Sequence, residues 1–270
     1  MKTQIAIFTD LDGTLLDHQS YSFAAAEPCL TYLRTKNIPL IFTSSKTAVE
    51  IEALCELTKF NHPYIAENGG LLSIPEDYFS TSTTVSSNYI KSLVGTSRSE
   101  INDALGKLSS SFKFQSFSAM STEELISNTG LSTRQAEFAN RRDCTEPLLW
   151  LDDPSKINVF ATQLEKYGLR LVSGGRFHHV MGHHDKATTM TRLIKEYEQN
   201  NALETISIAL GDSPNDIEML KTADYGIVIP NPHAPKMSIE NHVSLSYAEK
   251  PGPSGWNETL LLLLEELLSD

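Results

Sequence analysis

The sequence contains few cysteines, fewer basic than acidic residues, and no long apolar run. The three cysteines, Cys29, Cys55 and Cys144, are scattered without CxxC spacing, which predicts free thiols in a reducing compartment and not a disulfide framework. The longest apolar stretch, at 260–264, is far shorter than the roughly 20 residues that a membrane span needs. The apolar run after Met1 is too short for a signal peptide. We therefore expect a cytoplasmic protein that does not bind a membrane.

The charge balance narrows the classes of partner. With 22 basic and 34 acidic residues among 270, the chain has a formal net charge of −12, which argues against nucleic acid as a partner. An anionic substrate is not excluded, because a metal ion and a few local cations reverse the sign of the charge within a site. The apolar share of 40% suffices for an ordinary core, and the length allows one large domain or two modest ones.

Short apolar segments that end in polar clusters alternate with helical segments at both ends of the chain. The apolar segments lie at 5–9, 38–42, 63–66 and 206–210. The clusters that follow them contain Asp10 and Asp12, Ser44, Glu67 and Asn68, and Asp212 to Asp216. This alternation predicts a Rossmann-like parallel α/β sheet, with the polar clusters at one edge of it.

The pattern changes near Phe79 and returns near residue 182. Residues 80–88 are rich in Ser and Thr, and the segment after them mixes predicted helices with a predicted strand at 148–150 and a hairpin across 169–181. That texture is α+β and differs from the rest of the chain. We predict a core domain formed by residues 1–78 and 182–270, with a cap domain of residues 79–181 inserted into it.

The polar clusters together predict phosphoryl transfer. Asp10, Asp12 and Asp212 would repel one another at one sheet edge, and a divalent cation with oxygen ligands, such as Mg²⁺, would remove that repulsion. Hydroxyls and backbone N–H groups after Ser44 can hold phosphate oxygens, and Lys186 can neutralise their charge. An aspartate is an established nucleophile for such chemistry. The alternative for residues 10–14 alone is an ordinary Asp-Gly turn.

Residues 10–14, Ser44, Lys186 and residues 211–216 resemble, in this order, the four motifs of the haloacid dehalogenase superfamily. The resemblance implies that Asp10 is the nucleophile and Asp12 the general acid and base, with Ser44 and Lys186 completing the catalytic set. It implies that Mg²⁺ is held by Asp10, the main chain of Asp12 and Asp212, with Asp216 in support. The insertion after the second motif resembles the α/β cap of the IIB branch of the superfamily.

Less generic residues at 43–46, 67–70, 141–147, 173–178 and 229–233 resemble the mannosyl-3-phosphoglycerate phosphatase family within that superfamily. This resemblance implies a small phosphorylated sugar-glycerate substrate, hydrolysed to mannosylglycerate and phosphate. Arg142 and Arg176 can each make a bidentate contact to an anion. The residues predicted to contact substrate are Ser45, Lys46, Glu67, Asn68, Gly69, Arg142, Glu146, Ser173, Gly174, Arg176, His178 and Asn215.

Several alternatives remain at this stage. An arginine of a small domain is often a surface ion-pair partner, and residues 67–69 and 174–175 can be simple turns. The histidines at 178, 179, 183 and 184 invite a zinc site, which the absence of Cys or His partners at the usual spacings disfavours. The enzyme could act on another sugar phosphate, such as glucosyl-3-phosphoglycerate, sucrose phosphate or trehalose phosphate, or be a phosphomutase. A binding protein without activity would be expected to lack Asp10 or Asp12. No oligomeric state is predicted.

Overall fold

The computed structural model describes residues 3–80, 88–174, 177–233, 237–240, 242 and 244–269. Its strands are β1 (Thr3–Thr9), β2 (Leu40–Phe42), β3 (Tyr64–Ala66), β4 (Leu71–Pro75), β5 (Tyr89–Leu93), β6 (Phe114–Ser116), β7 (Thr145–Trp150), β8 (Arg170–Gly174), β9 (Phe177–Met181), β10 (Glu204–Gly211), β11 (Tyr225–Val228) and β12 (Leu245–Tyr247). Its α-helices are α1 (Glu27–Lys36), α2 (Ala48–Thr58), α3 (Arg98–Leu108), α4 (Thr122–Thr129), α5 (Thr133–Asn140), α6 (Ile157–Glu165), α7 (Lys186–Asn201), α8 (Ile217–Thr222) and α9 (Gly252–Leu268).

The central sheet is parallel and is covered by helices on both faces. Five strands lie in the order β12-β11-β10-β1-β2, so β1 is paired on both sides. Alternate residues of β1 point to opposite faces. Ile7 packs in the core that includes α1, α2 and α9, whereas Phe8 packs in the core that includes α7 and α8. Burial on both faces explains the continuous apolar run of this strand and confirms the predicted Rossmann-like α/β core.

The sheet continues beyond β2 through three further strands. Thr43 and Ile65 form a parallel bridge that places β3 beside the end of β2, and β4 and β5 then pair antiparallel. Strand β5 lies inside the segment 79–181 that we predicted as the cap. The pairing places β5 in one three-stranded sheet with β3 and β4, and the four-stranded sheet of the cap begins after it. The predicted linker at 80–88 falls largely outside the described residues.

The cap is a four-stranded antiparallel sheet in the order β6-β7-β9-β8. One face carries Leu148 and Val180, which pack against α3 and α6. The other face carries Leu149 and Phe177, which pack with residues of α4 and α5. The rest of this second face turns towards the core domain. The α+β texture predicted for this segment is confirmed.

Helix α9 closes the core beneath β1. Trp256 is fully buried, and its indole Nε1 donates a hydrogen bond of 2.9 Å to Oγ1 of Thr9, the last residue of β1. A buried indole N–H needs such a partner, and here the partner immediately precedes Asp10. Within the described ranges, every helix is too short or too polar to traverse a lipid bilayer.

Candidate active site

Residues 10–14 form a tight turn at the carboxyl end of β1. The backbone N–H of Asp10 donates to the carbonyl of Leu210 at 2.9 Å, which keeps Asp10 in register with the neighbouring strand β10. Gly13 has φ of +83°, and a Cβ at this position would lie 2.5 Å from Oδ2 of Asp212. Only glycine combines this backbone conformation with so close an approach. The turn at residues 10–14 therefore lies in close contact with Asp212 of the second acidic cluster.

Lys186 lies between two buried carboxylates. It is the first residue of α7, and its Nζ lies 2.5 Å from Oδ1 of Asp10 and 2.7 Å from Oδ1 of Asp216. Its side chain is only 1% exposed. Burial opposes the charged ammonium form, but the two carboxylates outweigh it, so the pKa of Lys186 is raised above its ordinary value. The ammonium group is therefore held in its charged form inside the site.

The carboxyl groups of Asp10 and Asp212 bind protons more tightly than usual. Burial, together with the charges of Asp216 and Asp212, raises the pKa of Asp10 well above its ordinary value, although Lys186 opposes this. Burial and the charge of Asp216 raise the pKa of Asp212 to about 6. Asp212 accepts hydrogen bonds from Oγ1 of Thr14 at 3.2 Å and Nδ2 of Asn231 at 2.6 Å. These bonds fix its orientation towards the turn.

Asp216 organises the loop that follows β10. Its Oδ2 accepts bonds from the backbone N–H groups of Asp212, at 3.2 Å, and Ser213, at 3.1 Å, while its Oδ1 receives Lys186. The residue is fully buried. Because its oxygens are occupied by the protein, its main effect is to position Asp212 and Lys186.

The acidic cluster suits a divalent cation. Carboxylate oxygens of Asp10, Asp212 and Asp216 lie within 4.8 Å of one another, all in buried side chains. Burial of several carboxylates with raised pKa values is what a cation with oxygen ligands would relieve. The carboxylate of Asp12, whose main chain was predicted as a ligand, is not part of this triad and pairs with Lys46, with 2.9 Å between its Oδ2 and Nζ of the lysine. Its Oδ1 is buried and has no hydrogen-bond partner in the described ranges.

The loop after β2 joins this edge through its backbone. The N–H of Ser44 donates to the carbonyl of Ile65, its Oγ accepts from the N–H of Lys46 at 3.2 Å, and its carbonyl accepts from the N–H of Asn68. A capping box between Thr47 and Glu50 then begins α2. The N-terminus of α2 and the Ser44 loop therefore lie beside Asp12.

The loop after β3 sets the position of Lys186. Glu67, Asn68 and Gly69 have φ of +51°, +57° and +95°. A Cβ on Gly69 would lie 2.0 Å from the carbonyl oxygen of Asp185, so only glycine allows α7 to begin so close to this loop. The carbonyl of Gly69 accepts from Oγ1 of Thr189 at 2.6 Å, which fixes the first turn of α7.

Glu67 and Arg142 link the core to the cap. The fully buried Glu67 carboxylate accepts bonds from the N–H of Asp143 at 2.7 Å, the N–H of Cys144 at 3.1 Å and Oγ1 of Thr145 at 2.5 Å. In return, Nη1 of Arg142 donates to the carbonyl of Ser45 at 3.2 Å and to Oγ1 of Thr145 at 2.9 Å. Both residues were predicted to contact substrate. The structure instead places them in a network that joins the two domains.

Glu146 also differs from its predicted role. It is fully buried in the cap, where it accepts bonds from Nε of Arg98 at 2.5 Å and the N–H of Ser118 at 2.8 Å. Its oxygens thus hold α3 and the segment after β6, and they face away from the acidic cluster. Arg176 lies outside the described residues, and Gly174 ends strand β8 beside it.

A cavity of about 620 Å³ separates the acidic cluster from the cap sheet. From the core it is lined by Asp12, His18, Ser45, Asn68, Asp185, Lys186, Asp212, Ser213, Pro214, Asn215, Glu218 and Asn231. From the cap it is lined by Arg170, Val172, Ser173, His179 and Met181. Its volume lies within the usual range of small-molecule sites.

Comparison with known proteins identifies the family. A family model described as haloacid dehalogenase-like hydrolase matches residues 7–251. The chain belongs to this family. Proteins of Persephonella marina and Methanococcoides burtonii, both named glucosyl-3-phosphoglycerate/mannosyl-3-phosphoglycerate phosphatase, are each 36% identical to it. The alignments cover 97% and 96% of this chain, and 98% and 96% of those proteins.

Solved structures share the whole fold with this hydrolase. A Thermoplasma acidophilum protein has a TM-score of 0.68 at 18% identity and covers 98% of this chain and 99% of its own. The sucrose-phosphatase of Synechocystis, crystallised with sucrose and phosphate, has a TM-score of 0.61 at 16% identity and covers 97% of this chain and 98% of its own. At these identities the likeness establishes the common fold.

The cavity of this haloacid dehalogenase-like hydrolase contains residues that the sequence did not indicate. On β9, His179 pairs with Val172 of β8 and lines the cavity. The preceding residue, His178, pairs with Ser173, and a hydrogen bond of 3.3 Å joins its Nδ1 to Oγ of Ser173. Neighbouring strand residues point to opposite faces, so His178 and His179 lie on opposite faces of β9, and of the two only His179 is among the described residues that line the cavity. Arg170 was also missed; its Nε donates to the carbonyl of Gly182 at 3.2 Å, in the segment that returns to the core.

Proposed function

We propose that this hydrolase is a Mg²⁺-dependent cytoplasmic phosphatase of mannosyl-3-phosphoglycerate and glucosyl-3-phosphoglycerate. The observation that carries the proposal is the position of Asp10 beside Lys186 and Asp212, two residues that line a cavity whose far side is the cap. The near-complete alignment with two relatives named for these substrates supports the substrate class. The buried free thiols agree with a reducing compartment.

In the first half of the reaction, a carboxylate oxygen of Asp10 attacks phosphorus. The bond from phosphorus to the leaving oxygen of the substrate breaks, and Asp12 gives that oxygen a proton. In the second half, Asp12 takes a proton from water as the water oxygen attacks phosphorus, which frees phosphate and restores the Asp10 carboxylate. The different surroundings of the two acids support this division. Asp10 is buried and forms an ion pair with Lys186, whereas the side chain of Asp12 is 36% exposed and lines the cavity.

The residues that would hold Mg²⁺ are Asp10, Asp212 and the main chain of Asp12, with Asp216 in support. When bound, the ion neutralises charge on the carboxylates and the phosphate. Lys186 holds Asp10 in place and contributes a second positive charge to the phosphate site. The N–H groups of Ser44 and Lys46 already donate within the protein, so in this loop the phosphate oxygens would be bound by the hydroxyls of Ser44 and Ser45.

Four other predicted substrate contacts remain in this proposal because they line the cavity. They are Ser45, Asn68, Ser173 and Asn215. Nδ2 of Asn215 donates to Oδ1 of Asn68 at 2.9 Å, so these two amides approach the substrate as a connected pair. Lys46 would act through its ion pair with Asp12, which keeps the Asp12 carboxylate oriented between the turn and α2.

The test is phosphate release with Mg²⁺ from a panel of mannosyl-3-phosphoglycerate, glucosyl-3-phosphoglycerate, sucrose phosphate, trehalose phosphate and 3-phosphoglycerate. We expect the two glycosylated phosphoglycerates to have the highest kcat/KM. Asp10→Asn should abolish turnover, while Asp103→Asn, at an exposed position of α3, should leave it unchanged. A preference for another member of the panel would overturn the substrate assignment, and near-normal rates for Asp10→Asn would overturn the mechanism. Transfer of phosphate to a second sugar would indicate a phosphomutase.

A further inference from the structure

On the cap side of the cavity, the imidazole ring of His179 has a nitrogen atom that lacks a hydrogen-bond partner among the described residues. That atom, Nδ1, is buried. An unpaired buried polar atom destabilises the folded protein, because its hydrogen bonds to water are lost and not replaced. A protein tolerates such an atom most readily where a ligand completes its bonding. His179 lines the cap wall of the cavity, across from Lys186 and Asp212, so a ligand in the cavity lies against this side chain.

The neighbours of His179 suit an uncharged ligand group. Val172, its partner across the strands, and Met181, two residues along β9, lie on the same face and line the same cavity. They give an apolar surface on both sides of the imidazole. Burial, with a smaller effect from the charge of Arg142, lowers the pKa of His179 to about 3, so the ring is neutral. A neutral imidazole between apolar side chains can pair with a hydroxyl and offers no charge to a second anion.

The wall formed by the core domain is charged, in contrast to the neutral surface around His179. Lys186 and Asp212 line the cavity from the core, and Lys186 contacts Asp10, the residue that the proposed function places against the phosphate. Arg170, a cap cation that lines the cavity, donates to the carbonyl of Gly182 and also to that of His184, so part of its guanidinium is committed to the protein. The two walls thus separate a charged end of the ligand from a neutral one.

We infer that His179, flanked by Val172 and Met181, is a specificity-determining subsite for the glycosyl group of the substrate. The ring exchanges a hydrogen bond with a sugar hydroxyl while the two apolar side chains pack against the C–H face of the pyranose. This inference rests on the proposed function only in that the substrate carries a sugar. It assigns the sugar contact to His179 and not to its neighbour His178, which is not among the described residues that line the cavity.

The test compares two substrates in three variants. The substrates are the best sugar-containing phosphate of the wild-type enzyme and phenyl phosphate, which has no sugar. His179→Ala should raise KM for the sugar substrate by about tenfold or more, the loss expected for one well-placed hydrogen bond and its packing, and leave kcat/KM for phenyl phosphate within about twofold. His179→Asn should recover part of the loss, because its amide can still bond a hydroxyl.

His178→Ala is the matched control, since it removes the same side chain from the other face of the same strand. It should change neither substrate by more than about twofold, and melting temperatures should show that all three variants are folded. Equal losses on both substrates, or a His179→Ala enzyme that behaves like His178→Ala, would overturn the inference. If the best sugar phosphate is not a glycosylated phosphoglycerate, the proposed function fails, while the comparison still decides the role of His179.

Discussion

Replacing Glu67 with glutamine should destabilise the protein far more than its size suggests. The change keeps the shape of the side chain but turns one carboxylate oxygen into an amide donor. At present the two oxygens accept three bonds, from the N–H groups of Asp143 and Cys144 and from the hydroxyl of Thr145. In either orientation of the glutamine amide, its NH₂ group would face a backbone N–H, that of Asp143 or that of Cys144, and the two donors cannot form a hydrogen bond. Glu67, Cys144 and Thr145 are fully buried, so water cannot replace a partner lost at Cys144 or Thr145.

The expected loss follows from the bonds that fail. A hydrogen bond to a charged group contributes about 1.5–3 kcal/mol, and the donor left unpaired adds to the loss, so Glu67→Gln should cost about 2–4 kcal/mol. For a protein of this size that corresponds to a fall in melting temperature of roughly 4–16 °C. Glu258→Gln is the control. Glu258 pairs with Lys250 at 2.6 Å but its side chain is 49% exposed, so the same change should lower the melting temperature by less than about 4 °C.

A double-mutant cycle with Thr145→Val makes the test specific. Because the Thr145 hydroxyl donates to Glu67, the losses in the double variant should be smaller than the sum of the single losses by about 0.5–3 kcal/mol. Thermal and urea denaturation give the required free energies of unfolding. A Glu67→Gln melting temperature equal to that of Glu258→Gln, or strictly additive losses, would refute a carboxylate that holds the cap to the core.

Three further predictions concern the acidic turn. Asp12→Asn should fold normally and lower kcat by about 10²–10⁴-fold, measured by phosphate release, because it removes the proton transfer and leaves Asp10 intact. Gly13→Ala should lower the melting temperature and weaken Mg²⁺ binding measured by calorimetry, since its Cβ would lie 2.5 Å from Oδ2 of Asp212 at a φ of +83°; unchanged affinity would contradict the close approach. The raised pKa of Asp212, about 6, means that the folded state binds its proton more tightly than the unfolded state does. Its stabilising effect is therefore present at low pH and is lost as pH rises through about 6, so Asp212→Asn should stabilise the metal-free protein more at pH 7.5 than at pH 5 in thermal scans.

Local sequence pattern was sufficient to predict the core half of the site. Each buried strand is a continuous apolar run, and parallel strands end at one edge, so Asp10, Ser44 and Asp212 had to meet there. Lys186 followed because it begins a helix beside that edge. These relations depend on the order and polarity of nearby residues, which a single sequence displays directly.

The cap half depends on relations that a sequence does not display. Glu67 meets its partners 76 to 78 residues later in the chain, so nothing near it shows that its carboxylate is already satisfied. The choice between His178 and His179 rests on the register of β9 against its neighbours, and a shift of one residue exchanges the two faces. Strand β5 escaped prediction because it is a largely exposed edge strand, with Ile90 60% exposed, and so lacks a buried apolar pattern.

The central claim is that Asp10 becomes covalently bonded to phosphorus. The most direct measurement is borohydride reduction of acid-quenched reactions of the Asp12→Asn variant with Mg²⁺ and substrate, followed by peptide mass spectrometry. An aspartyl phosphate is reduced to homoserine. With phenyl phosphate as the substrate, the phenolate leaves with less need of a proton than a sugar or glycerate alkoxide does, so loss of the Asp12 carboxyl should slow hydrolysis more than formation and the intermediate should accumulate. We predict homoserine at position 10, and none there when the Asp10→Asn change is added. Steady phosphate release without homoserine at position 10, or homoserine at another aspartate, would contradict the mechanism.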